Sequence, residues 1–140
     1  MKAEDIVGTW RTTGHEIVAK DGSVSHPFGP GPHHGQLVYH PNGTVSVLVI
    51  RTDPQKLGAS TPASERAAAL DKCVGYVGRY EVKGDRILHK VEVALNPTWV
   101  GTSQERSATL EGDRLVLSPP ADDKGARARI TWQRVPRAAQ

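Results

Sequence analysis

The sequence predicts an all-β fold, an eight-stranded antiparallel up-and-down barrel carrying one short inserted helix. Three observations lead there. Short runs of alternating apolar and polar residues recur along the chain, Gly, Pro, Asn and Asp separate them, and a single alanine-rich segment interrupts them. A meander of eight strands closes most economically as a barrel, because closure removes exposed edges and eight strands leave room for one small ligand.

Strands are expected over 8–19, 35–40, 44–51, 76–82, 86–95, 102–110, 114–118 and 126–135. The turns between them are marked by Lys20-Asp21-Gly22-Ser23, Pro41-Asn42-Gly43, Lys83-Gly84-Asp85 and Glu111-Gly112-Asp113, whose residues tolerate positive φ or form Asx-type hydrogen bonds. Residues 61–72 read as the helix, with Pro62 at a first-turn position, Glu65 early and a run of alanines after it. Residues 26–35 hold three prolines and three glycines and cannot form regular structure. They are expected to be a long surface loop beside the barrel mouth, a lid with Phe28 as its apolar contact. The whole chain, 1–140, is one domain's worth of sequence.

Composition narrows the function classes. The chain is 37% hydrophobic and 24% charged, and its longest uninterrupted apolar run, 47–50, is far too short to span a bilayer. The first residues lack the apolar core and cleavage site of a secretory signal, so a cytoplasmic location is expected. The net charge of +3 comes from basic residues interspersed with acids. Arg127 and Arg129 would share a solvated strand face, and aromatic residues are few, so no nucleic-acid partner is expected. The lone Cys73 excludes an intramolecular disulfide and reads as a buried small residue in a helical context. No Gly-rich nucleotide loop, nucleophile elbow or metal-ligand spacing is present. No cofactor is therefore expected, and the neighbouring His33 and His34 read as exposed loop histidines rather than a metal site.

The segment 89–106 is the most informative. Alternation places His89 on one face with Val91, Val93 and Leu95, and after the Asn96-Pro97 turn it places Gln104 and Arg106 with Ala108 and Leu110. A core that admits an imidazole, an amide and a guanidinium must satisfy them, since each unpaired buried polar group costs about 1–3 kcal/mol. Either they pair with one another or a ligand completes them. The same reasoning sets Tyr39, Tyr76 and Tyr80 inside, as packing residues with a hydroxyl handle or as donors to a ligand carbonyl. Glu16 falls on the face of Trp10 and Thr12 and is a candidate partner for Arg106 or His89, unless Gly14 marks a bulge. Glu92 faces away from His89, as a solvent-side partner of Lys90 or Arg79. Trp99, next to the turn, either caps the barrel mouth or packs on the helix.

The two ends of the chain carry a resemblance. Gly8-Thr9-Trp10 opens the first strand and Trp132-Gln133-Arg134 closes the last, an arrangement that resembles the calycin barrels of lipocalins and fatty-acid-binding proteins. More specifically, the chain resembles the bacterial and fungal lipocalin-like domain family, through Gly35-Gln36-Leu37-Val38-Tyr39, Tyr76-Val77-Gly78-Arg79-Tyr80, His89-Lys90-Val91-Glu92 and the stretch 97–106. The resemblance implies that Arg134 packs across Trp10 at the closed end and that the interior holds a pocket. The family often has a second histidine where this chain has Lys90. Because fold alone does not settle function, two readings stand. One is a non-catalytic binder of a small, largely apolar molecule bearing a carbonyl or acidic oxygen, contacted by Tyr39, Tyr76, Tyr80, Trp99 and Gln104. The other is a cofactor-free isomerase or cyclase in which His89 moves a proton and Arg106 or a tyrosine stabilises an oxyanion. Haem held by a single histidine is a minor third. The expected partner is a small molecule, with neither nucleic acid nor membrane, and a homodimer stays open.

Overall fold

A computed structural model describes residues 1–29, 31, 33–51 and 56–138. Nine antiparallel strands form one sheet: β1 Gly8–Val18, β2 Val24–Ser25, β3 His34–Tyr39, β4 Thr44–Ile50, β5 Val74–Lys83, β6 Arg86–Ala94, β7 Ser103–Glu111, β8 Arg114–Ser118 and β9 Arg127–Arg134. Each strand from β3 to β9 pairs with the next, β1 pairs with β3, and the β1–β9 pairing closes the barrel. The eight expected strands are these, less β2, a two-residue addition paired with the end of β1. Helix α2, Ala63–Asp71, occupies the expected position. Cys73 lies just past its end and is only partly buried, its Sγ reaching the Ala69 carbonyl at 3.4 Å. No helix among the described residues is long and apolar enough to cross a membrane.

Tight hairpins fix the register. The β5–β6 and β7–β8 loops are Gly84-Asp85 and Glu-flanked Gly112-Asp113, with φ of +63° at Gly84 and +59° at Gly112. Glycine at the first central position is what a type II′ turn requires, and its twist matches that of the flanking strands.

A short helix α1, Ala3–Ile6, plugs one end of the barrel with the fully buried Ile6. Trp10 Nε1 donates to the Ile6 carbonyl at 2.9 Å. The Arg134 guanidinium lies 4.3 Å over the Trp10 ring and donates to the carbonyls of Val7 (2.8 Å) and Asp5 (2.7 Å) and to Asp113 (3.0 Å). Arg134 thus packs across Trp10 as the resemblance implies, and it also satisfies the carbonyls that α1 leaves open at its C-terminal end.

Two β-bulges correct the expected alternation. On β6, Val91 pairs with Gly78 and Val93 with Val77, so Glu92 is an extra residue. Ile87, His89 and Val91 point inward, but beyond the bulge the phase reverses. Val93 and Leu95, expected beside His89, are 63% and 60% exposed and form an outer apolar strip with Leu48 and Val77. On β1, Thr12 pairs with Trp132 and Gly14 with Thr131, leaving Thr13 as the extra residue. His15 therefore turns inward, and Glu16 turns out to meet Arg129 at 3.0 Å instead of Arg106 or His89. Lys90 likewise pairs with Glu81 at 2.6 Å rather than with Glu92.

Candidate functional site: a polar cluster in the barrel cavity

Above the plugged end, the barrel encloses a cavity of about 340 Å³ lined largely by apolar side chains, within the range typical of small-molecule pockets. One wall, from β5, β6 and β7, is polar. The register explains why: Gln104 pairs with His89 and Arg106 with Ile87, so all four share the inward face. Tyr76, His89, Trp99, Gln104 and Arg106 reach the cavity surface. The expectation thus brings five of its seven site residues together there.

Tyr39 and Tyr80 are inside the barrel but not on the cavity wall. The Tyr80 hydroxyl donates to the His40 carbonyl at 2.9 Å, and its ring meets Tyr39 edge-on at 4.8 Å. Tyr80 therefore packs and does not face the cavity. Tyr39 is fully buried behind His89.

Both nitrogens of His89 are engaged, Nε2 with the Tyr39 hydroxyl at 2.7 Å and Nδ1 with the Tyr76 hydroxyl at 2.6 Å. Neither nitrogen of His89 is therefore open to ligate a haem iron. Burial, reinforced by the Arg106 charge, lowers the His89 pKa to about 3, so the ring is neutral near pH 7. A neutral imidazole carries one N–H and offers one acceptor. Tyr39 has no other hydrogen-bond partner among the described residues, and leaving its hydroxyl hydrogen buried and unpaired would cost about 1–3 kcal/mol. The hydroxyl of Tyr39 accordingly donates to Nε2, Nδ1–H donates to the Tyr76 oxygen, and the Tyr76 O–H is left to point into the cavity. Burial pushes the Tyr76 pKa up to about 12 and holds Tyr39 well above its ordinary range, so both phenols keep their hydrogens.

Arg106 stands beside this relay. Its guanidinium donates to the Glu105 carbonyl at 2.9 Å and to the Gln104 Oε1 at 3.2 Å. Among the described residues no carboxylate pairs with it. Burial lowers its pKa, with the neighbouring Tyr76 and Tyr39 acting in the opposite direction, but an arginine keeps its charge. Trp99 belongs to the 3₁₀ turn Pro97–Trp99, held by the Asn96 side chain accepting from Thr98 N–H at 3.0 Å. Its ring meets Tyr76 edge-on at 6.2 Å, so of the two expected places Trp99 takes the cavity rim. Pro27 and Phe28 of the long loop also line the cavity, and Phe28 lies 4.6 Å from the His15 ring. Pro30 and Pro32 of that loop lie outside the described residues.

Among the lining side chains that carry a polar atom, sequence reasoning missed His15 and Trp132. The inward turn of His15 depends on the bulge, for which Gly14 was the only sign. Trp132, next to the closing Arg134, reads from sequence as a structural partner alone.

The fold and cavity define a class: a closed antiparallel barrel with a walled, mostly apolar chamber and a donor-rich cluster on one side. The chain belongs to the lipocalin-like domain family, whose sequence model matches residues 7–135. It is 35% identical over 85 residues to the 4'-hydroxy-3'-methoxypropiophenone carrier protein of Aspergillus oryzae, an alignment spanning 52% of this chain and 77% of the carrier. Among solved structures, a lipocalin-like protein from Bacteroides uniformis superposes with a TM-score of 0.48 and 13% identity, covering 94% of this chain and 99% of that one. The fluorescent protein UnaG superposes with a TM-score of 0.44 and 15% identity, covering 95% and 99% respectively.

Proposed function

We propose that this protein binds and carries a small, largely apolar molecule bearing a carbonyl or acidic oxygen, which the Tyr76 hydroxyl and the Arg106 guanidinium hold. The observation that carries the reading is a charged Arg106 on the cavity wall without a carboxylate partner among the described residues, next to the Tyr76 phenol, whose hydrogen the argued proton arrangement around His89 leaves for the same space. Two donors and little competing acceptor capacity select an acceptor oxygen, and the apolar walls select the body of the ligand. The Aspergillus oryzae relative is a carrier of an aryl ketone, a molecule with this distribution of polarity.

The same geometry favours carriage over catalysis. As an isomerase or cyclase the site would need His89 to exchange a proton with the ligand, yet its nitrogens are occupied by Tyr39 and Tyr76. We assign His89 the role of a positioning residue that orients the Tyr76 hydrogen. Native mass spectrometry of freshly purified protein, followed by calorimetric titration with propiophenone, tests the reading. Arg106→Gln should weaken propiophenone binding about tenfold, the loss expected for one charge-assisted hydrogen bond; unchanged affinity in Arg106→Gln would refute it. Turnover of a recovered ligand that depends on His89 would restore the enzymatic alternative.

A further inference from the structure

Across the barrel from His89, two residues of the cavity wall each carry a buried polar atom with no hydrogen-bond partner among the described residues, His15 Nδ1 and Trp132 Nε1. Both residues line the same cavity and are nearly inaccessible, at 8% and 2% exposure. They are diagonal neighbours on the β1–β9 pair, since Thr12 pairs with Trp132 and His15 with Ile130, and long side chains reach one another across such a diagonal. The strand order puts three strands between β1, which carries His15, and β6, which carries His89, along either path, and one strand, β8, between Trp132 on β9 and Arg106 on β7.

We infer that His15 and Trp132 form a second polar subsite that takes a ligand hydroxyl, phenolic or alcoholic, and that the ligand therefore carries an oxygen function at each end of an apolar body. The indole N–H is a donor only. Burial, with a smaller contribution from the His33 charge, lowers the His15 pKa to about 4, so the imidazole is neutral. With its hydrogen on Nε2, His15 Nδ1 is an acceptor. A hydroxyl is the small group that completes this pair with one atom: its oxygen accepts from Trp132 Nε1–H and its hydrogen is donated to His15 Nδ1. Both atoms are buried and unmatched among the described residues, and native interiors seldom tolerate that without a functional reason. The inference rests on the proposed binding of a carbonyl oxygen at Tyr76 and Arg106, and it adds a second anchor with a different chemical preference.

Calorimetric titration with three probes separates the two ideas: propiophenone, 4'-hydroxypropiophenone and 4-propionylbenzoate. On the unmodified protein, 4'-hydroxypropiophenone should bind about tenfold more tightly than propiophenone, because a site built around a hydroxyl discriminates against the analogue lacking it. Trp132→Phe and His15→Leu should each remove most of that advantage, read as the ratio of the two phenone affinities within the same variant. Tyr76→Phe should weaken both phenones alike. Equal binding of the two phenones, with Tyr76→Phe still weakening both, would overturn the hydroxyl subsite and leave the carbonyl site standing. An advantage that survives in both Trp132→Phe and His15→Leu, or a preference for 4-propionylbenzoate over the phenol, would overturn it as well. Failure of all three probes to bind, or indifference to Tyr76→Phe, would overturn both ideas. The probe comparison on the unmodified protein stands even if a core variant fails to fold.

Discussion

At the scale of single residues, the proton arrangement around His89 makes the sharpest demand. Tyr39 never touches the cavity, yet its hydroxyl hydrogen fixes which His89 nitrogen is protonated. Tyr39→Phe should leave the cavity lining intact and weaken propiophenone binding severalfold, because Tyr76 becomes free to turn its hydrogen back onto Nδ1. Nitrogen-15 NMR of the imidazole should show the Nδ1–H tautomer losing its dominance; an unchanged tautomer would contradict the relay. The leftover unpaired Nε2 should also lower stability by about 1–3 kcal/mol, measurable by urea unfolding. Alternation alone made His89, Gln104, Arg106 and Tyr76 legible in the sequence as inward groups. It could not separate residues on the cavity surface from those one layer behind it, which is why Tyr39 and Tyr80 read as ligand contacts. That distinction depends on side-chain depth, a property of the closed barrel.

At the scale of elements, the strands and hairpins follow from local rules, and the departures have local causes too. Turn residues placed the hairpins correctly because Gly84 and Gly112 supply a backbone conformation that other residues resist. The bulges were harder to read, since one extra residue leaves the residue pattern on either side regular and only shifts its phase. Gly78 reveals the cost of accommodating the one at Glu92. A Cβ added there would sit 1.8 Å from the Lys90 carbonyl oxygen, which is backbone and has nowhere to move. Gly78→Ala should therefore destabilise the protein by about 3 kcal/mol or more, seen as a lower urea midpoint. Gly43, whose added Cβ would meet nothing within 4 Å, serves as the comparison: Gly43→Ala carries only the strain of its positive φ of 89° and should cost less. α1 and β2 escaped sequence reading because each spans barely one period of its pattern, too little to show a repeat. They exist through contacts made elsewhere, Ile6 with Trp10 and Arg134 for α1, and the end of β1 for β2.

For the whole molecule, the two buried histidines couple stability to pH. His89 and His15 have pKa values near 3 and 4 in the folded state, depressed chiefly by burial, against an ordinary value of 6.5. Between those limits the unfolded chain binds more protons than the folded one, so stability rises with pH there. The contribution is fully present above about pH 6.5 and is lost as the pH falls toward 3. Thermal melts should accordingly show Tm dropping steeply from pH 6.5 to 4.5, and the drop should shrink in His15→Leu; a flat profile would mean that the imidazoles are solvated. Exposed pairs such as Lys90–Glu81 add little to this profile, because water screens them. The barrel itself was legible as a whole, since eight hairpin-linked strands have few other ways to hide their edges. The two bulges give that barrel an uneven tolerance to gain and loss of single residues. Dropping Thr13 or Glu92 would restore plain alternation with every remaining side chain on its present face, whereas dropping a residue several positions along the strand would absorb the bulge only by turning the stretch in between inside out. Among relatives, a one-residue gap at either position should therefore leave the character of the chamber intact, and a gap several residues along the same strand should mark a chamber with altered chemistry.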